Sequence, residues 1–199
     1  MTYQGVKFKT EVIDSKATKE PRLEELKYWC REFHRCNFTP PYEGGSYGNL
    51  SFRLEDGKDP FIITGSKIGL KDELSDDCFV KVCSCDFEKR IVYASGTREP
   101  SSESMLHFAI YHQRKDVNAV FHGHCQKVLS NINKLKIVET KKEEPYGTIE
   151  LVRRVLEILD DEFFLVMKNH GFISLGRTMK EAGKLALQAQ NNSFGRAGD

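Results

Sequence analysis

Leu23, Leu26, Cys30 and Phe33 recur at helical spacing, and Trp29 widens the apolar stripe they make. The spacing predicts a helix from about Pro21 to Arg35, with Pro21 suited to a first turn that needs no backbone N–H. The texture then changes. Thr39 to Tyr47 holds two prolines and two adjacent glycines and reads as a loop. Gly48 to Leu54 alternates polar and apolar positions, Asp56-Gly57 marks a turn, and Phe61 to Thr64 is a second strand. Gly65 to Leu74 is a loop or short helical turn. Phe79 to Cys83 and Arg90 to Ala94 are two further strands that can form a hairpin.

A second helix opens near Ser102 and runs to about Arg114, with Met105, Leu106, Ala109 and Ile110 as its buried face. Ala119 to His122 is a short strand, and a helix from about Gln126 to Asn133 follows. Thr148 caps a helix through Leu159, with Glu150 in its first turn. Phe163 to Met167 and Phe172 to Leu175 are strands. Thr178 caps a last helix to about Gln190, and residues 1–20 read as an irregular arm. Strands and helices mixed without regular βαβ alternation predict an α+β fold or a three-layer sheet.

The chain of 199 residues carries no repeat or linker, which predicts one domain over 1–199. Its net charge of +1, with acidic and basic residues interspersed, gives no global field for nucleic acid or a membrane surface. No apolar run approaches the ~20 residues of a membrane span, and Met1 to Glu20 is polar, unlike a signal peptide. A cytoplasmic protein is the expectation. The six cysteines form no CxxC pair, which argues against zinc-finger and thioredoxin motifs, and reduced structural thiols are expected. Cys83 and Cys85 fall on one face of a strand, and Cys125 stands next to His124.

Chemistry concentrates in three short stretches. In His122-Gly123-His124 two imidazoles two residues apart project to one face of an extended segment and can chelate one ion. His170, in Asn169-His170-Gly171, also follows an apolar strand and precedes a glycine, so it belongs at a sheet end. Three imidazoles with an open fourth position make a catalytic metal site. The plainer alternative is satisfied histidines at a strand–loop junction; His34, His107 and His112 lie on predicted helices and are read as ordinary surface or core residues. In Pro100-Ser101-Ser102-Glu103 the serines can cap a helix and Glu103 then falls in its first turn, which the helix dipole favours, and this accounts for the segment structurally. The same helix start can bind phosphate, and a carboxylate beside a metal can move protons.

In order and spacing, these pieces resemble the class II aldolase/adducin family. The match runs through Gly48-Asn49-Leu50-Ser51-Phe52-Arg53, Ile63-Thr64-Gly65-Ser66, Asp72-Glu73-Leu74, Pro100-Ser101-Ser102-Glu103, Leu106-His107, Asp116 to His124, Tyr146-Gly147-Thr148 and Asn169-His170-Gly171. The resemblance implies a three-layer α/β/α fold, with a mostly antiparallel central sheet between helices. It implies a divalent metal, usually zinc but also manganese or cobalt, on His122, His124 and His170. Glu103 is implied as acid/base and as a metal contact when substrate is absent. Asn49, Thr64, Gly65, Ser101 and Ser102 are implied phosphate binders. The family's metal stabilises an enediolate while a C–C bond breaks or forms in a small sugar phosphate, commonly in homotetramers with sites between subunits.

Two departures shape the expectation. Related epimerases have Asp where Glu103 stands, so the chain looks more like aldolases or dehydratases. The aldolase's C-terminal tyrosine has no counterpart in residues 191–199, leaving Tyr146, Tyr111 or a neighbouring subunit as the proton donor. Arg98 is either a contact for an anionic substrate or a solvated loop residue. The leading expectation is an aldolase-like lyase. The alternatives are a dehydratase of the methylthioribulose-1-phosphate type and a non-catalytic, adducin-like oligomerisation module.

Overall fold

The computed structural model describes residues 5–193. Its elements are β1 (Lys9–Asp14), α1 (Leu23–Arg35), β2 (Pro41–Tyr42), β3 (Gly45–Ser46), β4 (Asn49–Arg53) and β5 (Phe61–Thr64). A 3-10 turn (Asp76–Cys78) precedes β6 (Phe79–Asp86), β7 (Ile91–Ser95), α2 (Ser104–Gln113) and β8 (Ala119–Gly123). Then come α3 (Gln126–Ser130), α4 (Ile132–Leu135), β9 (Val138–Glu139), α5 (Ile149–Leu159), β10 (Phe164–Met167), β11 (Gly171–Gly176) and α6 (Met179–Ser193).

Nine strands form one sheet in the order β1-β7-β6-β5-β4-β8-β11-β10-β9. The expected mostly antiparallel sheet is a mixed one. Its inner pairs are antiparallel, but the outermost pairs at both edges, β1 with β7 and β9 with β10, are parallel. Both edge strands arrive through long connections, which parallel pairing requires.

Alternation along the strands sends side chains to two separate cores. Phe61, Ile63, Val120 and Ile173 pack with Met105 and Leu106 of α2 and Leu151 and Val155 of α5. Ile62, Phe121 and Phe172 pack instead with Leu26, Trp29 and Phe33 of α1 and Ala182 and Ala186 of α6. The α1 stripe is buried as its spacing predicts. Thr148 and Thr178 cap as expected, accepting from the N–H of Leu151 at 3.2 Å and of Glu181 at 3.1 Å.

Four local expectations change. The arm is not irregular throughout: the β-branched Thr10, Val12 and Ile13 place β1 along the sheet edge, while residues 1–4 lie outside the described part. The loop before β4 contains the small β2–β3 hairpin. The helix expected over Gln126 to Asn133 breaks at Asn131 into α3 and α4. A register shift between Val82 and Ser84 interrupts β6, and Cys85 joins the core of Val80 and Val82. All six cysteines are free thiols. Among the described residues no helix is long and apolar enough to cross a membrane.

Candidate active site

Two strand pairings and one helix start bring the chemistry together. Asn49 at the head of β4 pairs directly with His122 near the end of β8. On the other side of β8, His122 pairs with Ile173 of β11. The β10–β11 turn carries His170 back over the same strand end, with Asn169 in the left-handed region at φ 54°, a conformation asparagine tolerates. Glu103 stands at the N-terminus of α2.

The three imidazoles offer ligand atoms within 4.8 Å of one another. His122 Nδ1 lies 2.8 Å from the Phe172 carbonyl. That carbonyl can only accept, so it fixes the proton on Nδ1 and leaves the Nε2 lone pair bare. His122 Nε2 is 3.1 Å from His124 Nε2. Burial holds the His124 imidazole well below its ordinary pKa, with His122 and His170 adding to the effect. Burial likewise pushes His170 down to about 4, against the pull of Glu103. Buried imidazoles whose ring nitrogens crowd one point suit a cation, and the nitrogen-rich donor set suits zinc or another borderline divalent ion.

Glu103 faces this cluster. Its Oε2 lies 3.2 Å from His122 Nε2, its Oε1 lies 3.4 Å from His170 Nε2, and the side chain is almost fully buried. Asn49 Nδ2 donates to Oε2 at 2.8 Å. Oε1 has no hydrogen-bond partner, an orphaned acceptor that fits a cation or a proton donor on a substrate. Burial acts to raise the carboxyl pKa, but His122, His170 and the Asn49 amide outweigh it and hold it below its ordinary value. Glu103 is therefore ionised at neutral pH. Beneath it His107 is wholly buried, with Nδ1 2.7 Å from Ser51 Oγ, itself 2.8 Å from the Tyr111 hydroxyl.

Asn49, Glu103, His122, His124 and His170 line a cavity of about 350 Å³ that also holds Gly65, Ser101, Ser102 and Tyr146. The expected site residues thus converge, with three qualifications. Glu103 does not sit inside the first turn of α2 but at its cap position, where its side chain turns to the histidines. Thr64 is buried behind the cavity wall, its hydroxyl accepting from the Leu50 N–H at 3.4 Å. The Gly65 N–H is already donated to Cys78 at 2.7 Å.

Of the tyrosines weighed as proton donors, Tyr146 lines the cavity, whereas Tyr111 is fully buried against Ser51 and does not. Residues 194–199 of the tail lie outside the described part. Arg98 does not reach the cavity; it pairs with Asp77 at 2.6 Å. Gly123 lies within β8, where a Cβ would come within 2.6 Å of the Phe172 ring. Sequence reasoning missed Tyr47, whose ring lies 5.1 Å from that of His124, and Glu143, which accepts from the Asn169 amide at 2.8 Å. Both sit in irregular segments without periodicity to mark them.

This geometry has relatives. Residues 24–192 match the family model of the class II aldolase and adducin N-terminal domain. The chain belongs to this family. An L-fuculose phosphate aldolase of Methanococcus maripaludis is 31% identical over 163 residues, covering 74% of this chain and 83% of that family member. A 5-methylthioribulose-1-phosphate/5-deoxyribulose-1-phosphate aldolase of Rhodospirillum rubrum is 30% identical over 161 residues, covering 73% of this chain and 68% of the relative. The solved structure of an L-fuculose 1-phosphate aldolase shares the family fold, with a TM-score of 0.70 and 20% identity over 89% of this chain and 85% of its own.

Proposed function

We propose that the protein is a metal-dependent, class II aldolase-like lyase that cleaves or forms a C–C bond in a small sugar phosphate. One observation carries the reading: the buried, ionised Glu103 faces His122 and His170 across 3.2 and 3.4 Å inside a cavity of small-metabolite size. His122, His124 and His170 would hold the ion, with Glu103 beside it. A divalent cation there, zinc in this reading, supplies Lewis-acid stabilisation of negative charge on the substrate's carbonyl and neighbouring oxygen.

The chain's own groups do the rest. Glu103 Oε1, without a hydrogen-bond partner, takes the proton from a substrate hydroxyl or carbon and returns it after the bond breaks. Asn49 keeps Oε2 in place, so the carboxylate presents one defined edge. The hydroxyls of Ser101 and Ser102 are the best-placed phosphate holders, with Asn49 and Gly65 lining the same cavity and Thr64 supporting it from behind. Tyr146 is the candidate donor to the aldehyde oxygen when the C–C bond forms, and it takes that proton back when the bond breaks. The reading carries with it one domain over 1–199 and a cytoplasmic homotetramer, supported by family membership alone.

Incubation of zinc-loaded protein with a panel of ketose 1-phosphates tests it. Release of dihydroxyacetone phosphate and an aldehyde is expected. Water loss without C–C cleavage points to the dehydratase alternative. Inertness of protein with full metal content points to the non-catalytic module.

A further inference from the structure

Lys71 plays no part in the chemistry above, yet it is a charged group buried to 2% exposure next to the cavity wall. Its Nζ donates to Ser46 Oγ at 2.9 Å, to the Ser46 carbonyl at 3.3 Å and to the Tyr47 carbonyl at 3.2 Å. These partners are all neutral, and no carboxylate of the described residues pairs with it. Burial pushes the ammonium down to about 8, which leaves it charged at neutral pH. A buried charge without a counter-ion is costly, and cores rarely retain one without a role.

The wall it holds explains why it is kept. Ser46 and Tyr47 line the cavity, Ser46 Oγ donates onward to the Gly69 carbonyl at 2.7 Å, and the Tyr47 ring packs on His124. The same cavity is lined by Glu103, Glu143 and Glu144, and among its lining residues Lys67 is the one lysine or arginine. Glu144 is paired with Arg154 at 3.2 Å, but a phosphate-bearing substrate entering beside Glu103 and Glu143 meets repulsion unless fixed positive charge stands close by.

We infer that Lys71 is a positioning and specificity-determining residue, the fixed positive charge behind the Ser46–Tyr47 wall that admits an anionic substrate and holds that wall against His124. The inference rests on the sugar-phosphate reading for the kind of ligand, but its test does not require turnover. Inorganic phosphate is titrated calorimetrically into the full-length, zinc-loaded protein and its Lys71→Met variant, with zinc content and melting temperature measured alongside.

The variant should bind phosphate about tenfold more weakly, the scale of one partly screened charge several ångströms away. Its zinc content should stay that of the parent. Lys71→Arg, which keeps the charge, should recover most of the affinity. Phosphate binding within about twofold of the parent in Lys71→Met overturns the inference, and so does a parent protein that binds no phosphate. If Lys71→Met does not fold, Lys71→Gln carries the same criterion, because it keeps an amide donor for Ser46 and Tyr47. Weakened phosphate binding in a protein that turns over no ketose 1-phosphate sinks the lyase reading and leaves Lys71 standing. Unchanged phosphate binding beside normal turnover sinks Lys71 alone.

Discussion

Asn49 and His122 face each other across neighbouring strands, and their side chains meet the same oxygen of Glu103, at 2.8 and 3.2 Å. One register therefore sets both the metal-ligand candidate and the group that orients the base. A slip of β4 by one residue would turn Asn49 to the opposite face and put Leu50 in its place.

Asn49→Ala removes a donor that favours the ionised carboxylate. Glu103 should then hold its proton more readily, so the acid limb of kcat/KM moves to higher pH, by about one unit for a charge-assisted hydrogen bond. Activity at neutral pH should fall by roughly 10- to 100-fold. A pH–rate profile checks both, and a limb that does not move contradicts the orienting role of Asn49.

Glu103→Gln and His124→Ala should separate base from ligand. The first keeps its metal and loses about a thousandfold in turnover. The second loses metal on dialysis. Plasma mass spectrometry on both variants distinguishes them, and full metal content in His124→Ala would remove that histidine from the proposed ligand set.

Gly171 stands where a Cβ would lie 2.6 Å from the Gly123 carbonyl and 2.7 Å from His122 Cε1. Gly171→Ala must push β8 or the His122 ring. A loss of about 1–3 kcal/mol in stability is expected, as for overpacked cores, together with weaker metal retention. Unchanged melting and metal content would show that β8 yields freely.

Burial pushes His107 down to about 3 and His170 to about 4, and also holds His124 well below its ordinary value. In the unfolded chain these groups return to 6.5. Between those limits the unfolded state binds more protons, so stability is full above about pH 6.5 and is lost as pH falls. The slope is about 1.4 kcal/mol per pH unit for each histidine. Urea melts of metal-free protein from about pH 7.5 to 5 should show this decline, and His107→Gln should flatten it. A flat profile in the parent contradicts neutral burial of the three rings.

Periodicity made much of this molecule legible. The α1 stripe, the strands flanking the histidines and both threonine caps follow from spacing and local chemistry that the tertiary fold then reuses. Edge strand β1 did not stand out, because an exposed edge need not alternate: Val12 and Ile13 remain 59% and 60% exposed. The break at Asn131, whose side-chain amide donates to the Lys127 carbonyl at 2.8 Å, and the bulge after Val82 interrupt elements that apolar spacing alone reads as continuous. In the site, histidines and a carboxylate announce themselves by residue type. Tyr47, Glu143 and Lys71 matter only because the folded chain brings ordinary residues to one wall, and nothing local marks them.

The most direct test of the account is proton exchange at the hydroxymethyl carbon of dihydroxyacetone phosphate in heavy water, followed by nuclear magnetic resonance. It isolates the proton transfer assigned to Glu103 and needs no knowledge of the aldehyde partner. The zinc-loaded parent should exchange one hydrogen stereospecifically, and Glu103→Gln with full metal content should not. Equal exchange in both proteins, or none in the metal-loaded parent, would contradict the account.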